Sequence, residues 1–187
     1  TSIPKAKTIL VKNTYKTLKE EFGYTNTMQA PKLVKVIVNT GVGKTKADKK
    51  KMELIVNRMA KITGQKSAER LAKKSIASFK VREGQLSGYQ TTLRGTKMTD
   101  FVDRLINIAL PRTRDFRGIK REAVDAVGNY SLGIKEHVIF PETSDEDIKD
   151  VFGLSITVVT TAKTPKECAA FLEYLGFPFK KEEVKKR

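Results

Sequence analysis

Two segments of the chain alternate between residues that suit a protein core and residues that suit a polar surface, with the two-residue period of a β-strand. In "GYQTTLR" and "LSITVVTT", the residues of the first face are Tyr89, Thr91, Leu93, Leu154, Ile156 and Val158. The residues of the opposite face are Gln90, Thr92, Arg94, Ser155, Thr157 and Thr161, with Val159 as the apolar exception. This pattern predicts a sheet that is covered by helices on one face and offers hydroxyls, amides and cations on the other.

Helical spacing of apolar residues marks two segments in the first third of the chain. The first covers residues 5–22 and ends at Gly23, whereas the second begins at Asp48, whose side chain can cap it, and ends at Gly64. Between them, the β-branched run "KLVKVIVN" has the length of a strand. The chain is therefore expected to begin with a helix, a strand and a second helix.

Two more helices are predicted in the second half of the chain. The segment "TDFVDRLINIALP" starts at the expected cap Thr99 and is closed by Pro111. The residues expected to face inward from it are Phe101, Leu105, Ile108 and Ala109. The last helix starts at "TPKE", where Thr164 caps, Pro165 opens the first turn, and Glu167 can reach back to complete a capping box. Strands are expected in "SLGIKEHVIF" and "LSITVVTT", which lie between these helices.

Helices and strands in this order do not alternate strictly, which favours an α+β fold with an antiparallel or mixed sheet, helices packed on one face, and a long protruding basic loop. The 187 residues suit a single domain covering residues 1–187. Within it we expect an N-terminal helical extension at residues 1–23, the protruding loop at residues 73–88, and a basic tail at residues 181–187.

The charge of the chain is strongly positive and unevenly distributed. Its 37 Lys and Arg residues outnumber 21 Asp and Glu residues and give a formal net charge of +16. Residues 1–90 hold 20 basic and six acidic side chains, a net charge of +14, so one half of the chain carries nearly all of the excess. Because no apolar run is long enough to span a bilayer, this excess predicts a nucleic-acid partner rather than a membrane. The single cysteine fits a reducing, cytoplasmic setting.

The stretch "VNTGVGKTKADKKK" partly resembles a phosphate-binding P-loop. The full pattern requires a glycine five residues before Gly43, but Val38 stands there and its β-branched side chain would fill the phosphate cradle. Lys44 and Thr45 are present, yet half of the motif is missing. A P-loop-like nucleotide hydrolase therefore remains an alternative that the sequence supports only in part.

Catalytic and metal-binding residues are scarce in the sequence. The only histidine, His137, is placed in a predicted strand without an obvious partner, and Cys168 falls on the apolar stripe of the last helix, where a buried thiol is inert. One Cys and one His cannot form a usual zinc site, and the acidic run "ETSDEDIKD" lacks the glycine and spacing of a calcium loop. We therefore expect a binding protein, with no catalytic residue, metal or cofactor.

Basic residues occur where stability alone would not place them. Lys49, Lys50 and Lys51 lie in the first turn of a helix, where the macrodipole disfavours cations and a phosphate partner would favour them. In the loop segment "KKSIASFKVREG", cations are interleaved with Phe79, which suits backbone tracking combined with base stacking. The alternative for this segment is a hairpin whose Phe79 returns to the core.

Several blocks of the chain, taken together, resemble one family. They are "VNTGVG", "DKKK", "ITGQK", "AKKSIASFKVREG", "TTLRG", "ALPRTRDFRG", "GNYSLGIKEHVIFPE", "LSITVVTTAKT" and "GFPF". In this order, from about Tyr24 to Lys180, they are similar to the bacterial-type large-subunit ribosomal protein number five, which docks 5S rRNA in the central protuberance. The resemblance implies an antiparallel sheet with helices on one side and a long protruding loop.

The resemblance also implies three groups of site residues. Those matching the 5S rRNA-binding motifs are Asn39, Gly41, Gly43, Gln65, Lys66, Thr92 and Arg94. Those in the loop implied to contact 23S rRNA and peptidyl-site tRNA are Lys73, Lys74, Ser75, Phe79, Lys80 and Arg82. Those on the side implied to bridge to a basic protein of the small-subunit head, protein number thirteen, are Arg112, Arg114, Arg117, Glu142, Asp145 and Asp147. Acidic side chains there would repel RNA and attract a basic protein.

As partners, the resemblance implies 5S rRNA, 23S rRNA, peptidyl-site tRNA, the small-subunit head protein and other ribosomal proteins of the central protuberance. Its setting would be the cytoplasmic ribosome. The N-terminal dozen residues and the tail "KEEVKKR" extend past the family pattern. A free-standing RNA-binding regulator, acting on messenger RNA, remains the second alternative to this interpretation.

Overall fold

The computed structural model of the chain describes residues 12–43, 48–143 and 151–180. In chain order, the helices and strands of this part are α1 (Lys12–Phe22), β1 (Leu33–Gly41), α2 (Lys49–Thr63), β2 (Ala68–Leu71), β3 (Leu86–Leu93), α3 (Gly95–Arg104), β4 (Asn129–Ile134), β5 (Leu154–Thr160) and α4 (Pro165–Tyr174). Short 3₁₀ turns lie between them. The predicted first helix is described only from Lys12 onward.

The five described strands form one sheet in the order β2-β3-β1-β5-β4, and each neighbouring pair is antiparallel. The α+β class and the antiparallel option are thus confirmed. No helix in the described ranges is both long and apolar enough to cross a bilayer.

Burial alternates along the strands as the sequence predicts. In the central strand β1, Val36, Val38 and Thr40 are buried while Asn39 is exposed. The predicted core residues of β3 and β5 are all buried: Tyr89, Thr91, Leu93, Leu154, Ile156 and Val158. The apolar ones among them join buried residues of α2, α3 and α4 in one hydrophobic cluster, so the helices cover a single face of the sheet.

Two helices begin or end at the capping residues that the sequence predicts. Asp48 accepts a hydrogen bond from the main-chain N–H of Lys51 at 3.2 Å, and Gly64 closes α2 in the left-handed conformation with φ 65°. Thr164 likewise accepts from the N–H of Glu167. The carboxylate of Glu167, however, accepts from the N–H of Lys163 at 2.8 Å rather than closing the predicted capping box.

Helix α3 differs from the prediction in its start and in its inward face. It begins at Gly95, so Thr99 lies inside the helix and does not cap it; its hydroxyl donates to the carbonyl oxygen of Thr96. A π-helical segment, Leu105–Ala109, follows and inserts one residue into the helical repeat. The expectation that Ile108 faces inward is therefore wrong, and its side chain is 40% exposed.

The prediction that His137 lies in a strand is also wrong. Strand β4 ends at Ile134, and His137 opens a short 3₁₀ turn in which it is buried. Its Nε2 lies 3.1 Å from Nη1 of the buried Arg58 of α2, and its ring stacks on Phe152 at 4.1 Å between centroids. The partner that the sequence did not reveal is thus an arginine 79 positions earlier, and the histidine is part of the packed core.

Candidate nucleic-acid interface

The sheet face opposite the helices is not covered by any described element. None of the central residues that point to this face, on β1, β3, β4 and β5, is buried. They are Lys35, Ile37, Asn39, Gln90, Thr92, Asn129, Ser131, Gly133, Ser155, Thr157 and Val159. We call this surface the open face. Its residues are mostly polar, which fits the alternation seen in the sequence.

Strand register arranges the open face in straight rows across the sheet. One row contains a residue from every strand, in the order Ala68, Gln90, Asn39, Ser155 and Gly133. Its side chains are amides, a hydroxyl or very small groups. We call it the amide row. The amide row is therefore a flat strip of hydrogen-bonding groups without a bulky apolar side chain.

In the neighbouring row, some hydrogen-bonding groups already have partners within the chain. It runs Thr92, Ile37, Thr157 and Ser131, and the hydroxyls of Ser131 and Thr157 lie 3.2 Å apart. Gln65 reaches this row from the loop after α2, because its Nε2 donates to the carbonyl oxygen of Thr92 at 3.4 Å. The structure thus brings together three residues that the sequence motifs placed in separate blocks: Asn39, Gln65 and Thr92.

Two side chains of the amide row have hydrogen-bonding groups that no described residue uses. Across the described ranges, the side chains of Asn39 and Ser155 have no hydrogen-bond partner, whereas Gln90 accepts from Nε of Arg70 on the edge strand. Asn39 and Ser155 are both exposed. A polar ligand laid on this strip can therefore bond to these groups without displacing an internal contact.

Basic residues and glycines border the open face. Lys66 and Arg94 are exposed at the ends of the segments that flank β2 and β3. Gly41 pairs with Gly88. A Cβ atom added to Gly88 would lie 2.4 Å from the carbonyl oxygen of Thr40, so the two main chains approach closely at Gly88. Gly43 is exposed. Residues 44–47, which follow it, lie outside the described ranges.

The segment between β2 and β3 forms an irregular hairpin from residue 72 to residue 85, slightly shorter than the predicted loop at 73–88 because β3 begins at Leu86. Main-chain bonds join Ile76 and Val81 in both directions, at 2.9 and 3.2 Å. At its base, the N–H of Glu83 donates to the hydroxyl of Ser75 at 2.9 Å. The hairpin is held by its own main chain, so its side chains are available at the surface.

Every predicted contact residue of this hairpin is exposed. The set is Lys73, Lys74, Ser75, Phe79, Lys80 and Arg82. The ring of Phe79 is 73% exposed, which rules out the alternative in which it returns to the core. Lys80 adopts a left-handed conformation with φ 50°, and its N–H closes the tip turn on the carbonyl of Ala77. An exposed aromatic ring therefore lies among four cations.

The third group of predicted site residues is only partly described. Arg112, Arg114 and Arg117 are exposed in the segment between α3 and β4. Glu142 is half-buried and forms an ion pair with Arg104, whose guanidinium also donates to the carbonyl of Ile62. Asp145 and Asp147 lie outside the described residues. The bridging role of this group stays a prediction.

The P-loop-like stretch has no phosphate cradle in its described part. Val38, at the position of the missing glycine, is fully buried in the core. The N-terminus of α2 is occupied by the carboxylate of Asp48, which takes the place that a phosphate would need. Lys44 and Thr45 themselves lie outside the described residues. Both observations oppose a nucleotide site here.

Cys168 has the surroundings of an inert thiol. It is fully buried, and burial raises the pKa of its thiol to about 11. Within the described part of the chain, no group of three or more His, Cys, Asp or Glu side chains is arranged to hold a metal ion.

Sequence reasoning missed part of the open face. Lys35, Ser131 and Gly133 belong to it but were not among the predicted site residues. The signal for Ser131 and Gly133 was the two-residue alternation in "NYSLGI". Tyr130 and Ile134 are buried and Leu132 packs against the same core, whereas Ser131 and Gly133 point the other way. The order of strands, which puts them beside Ser155, is not visible in the sequence.

Comparison with known proteins extends these observations. The family described as "Ribosomal protein L5" matches residues 26–82, and the model described as the C-terminus of this ribosomal family matches residues 87–179. A protein of Flavobacterium johnsoniae called "Large ribosomal subunit protein uL5" is 52% identical over 164 residues, 88% of this chain and 90% of the relative. Proteins with the same name are 51% identical over 166 residues in Ureaplasma parvum, covering 89% and 90%, and 49% identical over 180 residues in Renibacterium salmoninarum, covering 96% and 93%. The matched ranges contain the open face and nearly all of the hairpin.

Proposed function

The chain belongs to the ribosomal protein L5 family, and on that premise we propose that the open face of its sheet binds 5S rRNA and anchors it in the central protuberance. As a member of this family it is a protein of the large ribosomal subunit, it works in translation as part of the cytoplasmic ribosome, and it is not an enzyme. The nucleotide-hydrolase alternative is thereby excluded.

The observation that carries the 5S assignment is the amide row with its unused hydrogen-bonding groups. An RNA double helix has a wide, shallow minor groove that displays 2′-hydroxyls and base edges, so a flat polar strip fits it better than a protruding element would. Asn39 can donate and accept, and Thr92 and Gln65 add further polar groups one row away. Lys66 and Arg94, exposed at the border, supply phosphate contacts.

The exposed hairpin supports a second contact of the same protein with RNA. Phe79 offers a ring for stacking, and Lys73, Lys74, Lys80 and Arg82 offer charge for phosphates. We infer that this hairpin touches 23S rRNA and the peptidyl-site tRNA. Its hydrogen-bonded main chain would hold the aromatic ring away from the sheet, at a distance that the open face itself cannot reach.

The segment between α3 and β4, with the acidic run that follows Glu142, is proposed as the bridge to the basic small-subunit head protein number thirteen. Arg112, Arg114 and Arg117 are exposed, and five acidic residues fall between positions 142 and 150. The acidic residues are opposite in charge to the basic partner, which would guide the contact and fix its register.

The test of the 5S assignment is a binding titration of the purified chain with 5S rRNA over a range of salt concentrations. A steep linear fall of log affinity with log salt is expected because several phosphates are neutralised. A structured RNA of similar length and of non-ribosomal sequence serves as competitor and should bind much more weakly. Equal affinity for both RNAs would contradict the proposal and would favour a nonspecific RNA-binding regulator, whereas co-sedimentation of the chain with ribosomal subunits through a high-salt wash would argue against that regulator.

A further inference from the structure

No described residue pairs with the second half of the outer edge of β4. β4 is the last strand of the sheet, and the isolated pairing of Val124 with Tyr130 covers only its start, where the N–H of Asp125 donates to the carbonyl of Asn129 at 2.8 Å. Because main-chain groups of alternate residues point to the same side of a strand, the N–H and C=O of Gly133 also point outward. No described residue bonds to either group of Gly133.

A cleft lies beside this free edge. It has a volume of about 420 Å³, enough for one or two apolar side chains, and is formed by β4 together with the segment after α3. Its apolar lining residues are Leu110, Phe116, Ile119, Leu132, Ile134 and Ile139. An unpaired strand edge with an apolar cleft beside it has the two features that recognition of an extended peptide requires, namely main-chain bonds for affinity and a pocket for a side chain.

Cations predominate at the rim of the cleft. Arg114, Lys120 and Lys135 line it together with a single acid, Glu136, and all four side chains are exposed. An occupant with acidic residues on either side of an apolar one is therefore favoured electrostatically over a basic occupant. RNA suits the site less, since it has no main-chain ladder to pair with β4 and its phosphates gain nothing from an apolar cleft.

We propose that an extended segment of another protein, apolar at its centre and acidic at its flanks, adds to the edge of β4 and places an apolar side chain in the cleft beside Gly133. The outward main-chain groups of Gly133 point along the plane of the sheet, so the proposal uses none of the side chains assigned to 5S rRNA, whereas Arg114 at the rim also belongs to the group proposed for the small-subunit bridge. Failure of either proposal therefore leaves the other standing.

The test uses the 187-residue chain labelled with ¹⁵N and three probes. They are a blocked heptapeptide with two valines flanked by acids, its counterpart with lysines in place of the acids, and a short single-stranded RNA. The acidic peptide is expected to shift the amide resonance of Gly133 and those of the cleft residues Ile119 and Ile134. No shift at these positions, or equal binding of the lysine peptide or the RNA, overturns the proposal.

A matched pair of substitutions tests the main-chain pairing. Gly133→Pro removes the outward N–H, whereas Gly133→Ala keeps it; a side chain fits because a Cβ atom there meets nothing within 4 Å. The proline variant should bind the acidic peptide about fivefold more weakly, the size of one lost hydrogen bond, and the alanine variant within about twofold of the parent. Equal affinities in the two variants exclude pairing along this edge.

A third variant covers the case in which the proline variant does not fold. Lys135→Glu changes an exposed rim charge and leaves the strand intact. It should weaken the acidic peptide several-fold and strengthen the lysine peptide. Unchanged preference in Lys135→Glu means that the rim does not select the occupant, and the proposal of an acidic partner fails.

Discussion

Asn39 lies directly opposite Ser155 in the β1–β5 ladder, and across the described ranges neither side chain is hydrogen bonded within the chain. One row further along, Ser131 and Thr157 face each other in the same way but bond to each other. The two rows therefore differ in what they can offer to a ligand. In the free protein the exposed side chains of Asn39 and Ser155 are open to solvent, and 5S rRNA is proposed to bond to them in its place.

Replacing Asn39 by alanine should weaken 5S rRNA binding without unfolding the protein. The loss of one or two hydrogen bonds, each about 1 kcal/mol, corresponds to a decrease in affinity of about five- to thirtyfold. Thr92→Ala should act in the same direction. The measurement is a filter-binding titration beside a thermal melt. Asn57→Ala is the matched control, because Asn57 is exposed on α2, on the covered side of the sheet.

Normal 5S affinity in both Asn39→Ala and Thr92→Ala would remove the open face as the binding surface. A drop in melting temperature that parallels the loss of binding would point instead to a structural role. Equal losses in Asn57→Ala would show that the assay reports general damage to the protein.

Neutralising Lys66 or Arg94 should change the salt dependence of binding. If each contacts a phosphate, replacing it by glutamine lowers the slope of log affinity against log salt by about one. The slope is read from titrations between low and physiological salt. Lys166→Gln serves as control, since Lys166 is exposed on α4 and far from the proposed RNA surface in the helical layer. A slope unchanged in all three variants would exclude Lys66 and Arg94 as phosphate ligands.

Substitutions of two phenylalanines distinguish a role in binding at the surface from a role in stability. Phe79→Ala should change the free energy of unfolding by less than about 0.5 kcal/mol, because the ring is exposed, whereas Phe101→Ala should cost about 3–5 kcal/mol, because Phe101 is fully buried. Urea melts measure both. In assembled large subunits, Phe79→Ala should also increase the chemical reactivity of the RNA bases beside the hairpin. Unaltered reactivity would argue against stacking by this ring.

Much of the fold could be predicted because its signals are local. The alternation through Val36, Val38 and Thr40 gives the buried side of β1, and Asp48 and Gly64 mark the ends of α2. The predictions were wrong where the surrounding structure, rather than the local sequence pattern, determines the position of a residue. Ile108 is exposed because a π-helical segment changes the phase of the apolar stripe, and His137 leaves the strand to meet Arg58 in the core.

The candidate site was predictable to a smaller extent. Alternation identified Thr92 as a residue of the polar face, but its role and those of Asn39 and Gln65 came only from the family resemblance. Their proximity depends on β3 pairing with β1 and on the contact of Gln65 with the Thr92 carbonyl. These pairings join residues far apart in the chain, and no local pattern encodes them.

The cap of α2 should contribute measurably to stability. Asp48→Ala removes the acceptor for the N–H of Lys51 and should lower the free energy of unfolding by about 1 kcal/mol. Asp48→Asn keeps an acceptor oxygen and should stay within a few tenths of a kcal/mol of the parent. Urea denaturation at neutral pH measures both variants. If the two variants are equally destabilised, the carboxylate charge rather than the cap bond is responsible.

Alkaline pH should destabilise the protein partly through Cys168. Burial raises the pKa of this thiol to about 11, against about 8.5 in an unfolded chain, so the folded state favours the neutral form. Its contribution to stability is complete below pH 8.5 and is lost as the pH rises towards 11. Urea melts at pH 7.5 and 9.5 give the loss in the free energy of unfolding between these pH values, and this loss should be smaller in Cys168→Ala than in the parent. The buried Tyr130, whose pKa burial raises to about 12, is present in both proteins and contributes equally to both. Identical changes, or rapid reaction of the native thiol with a disulfide reagent at pH 8, would contradict its burial.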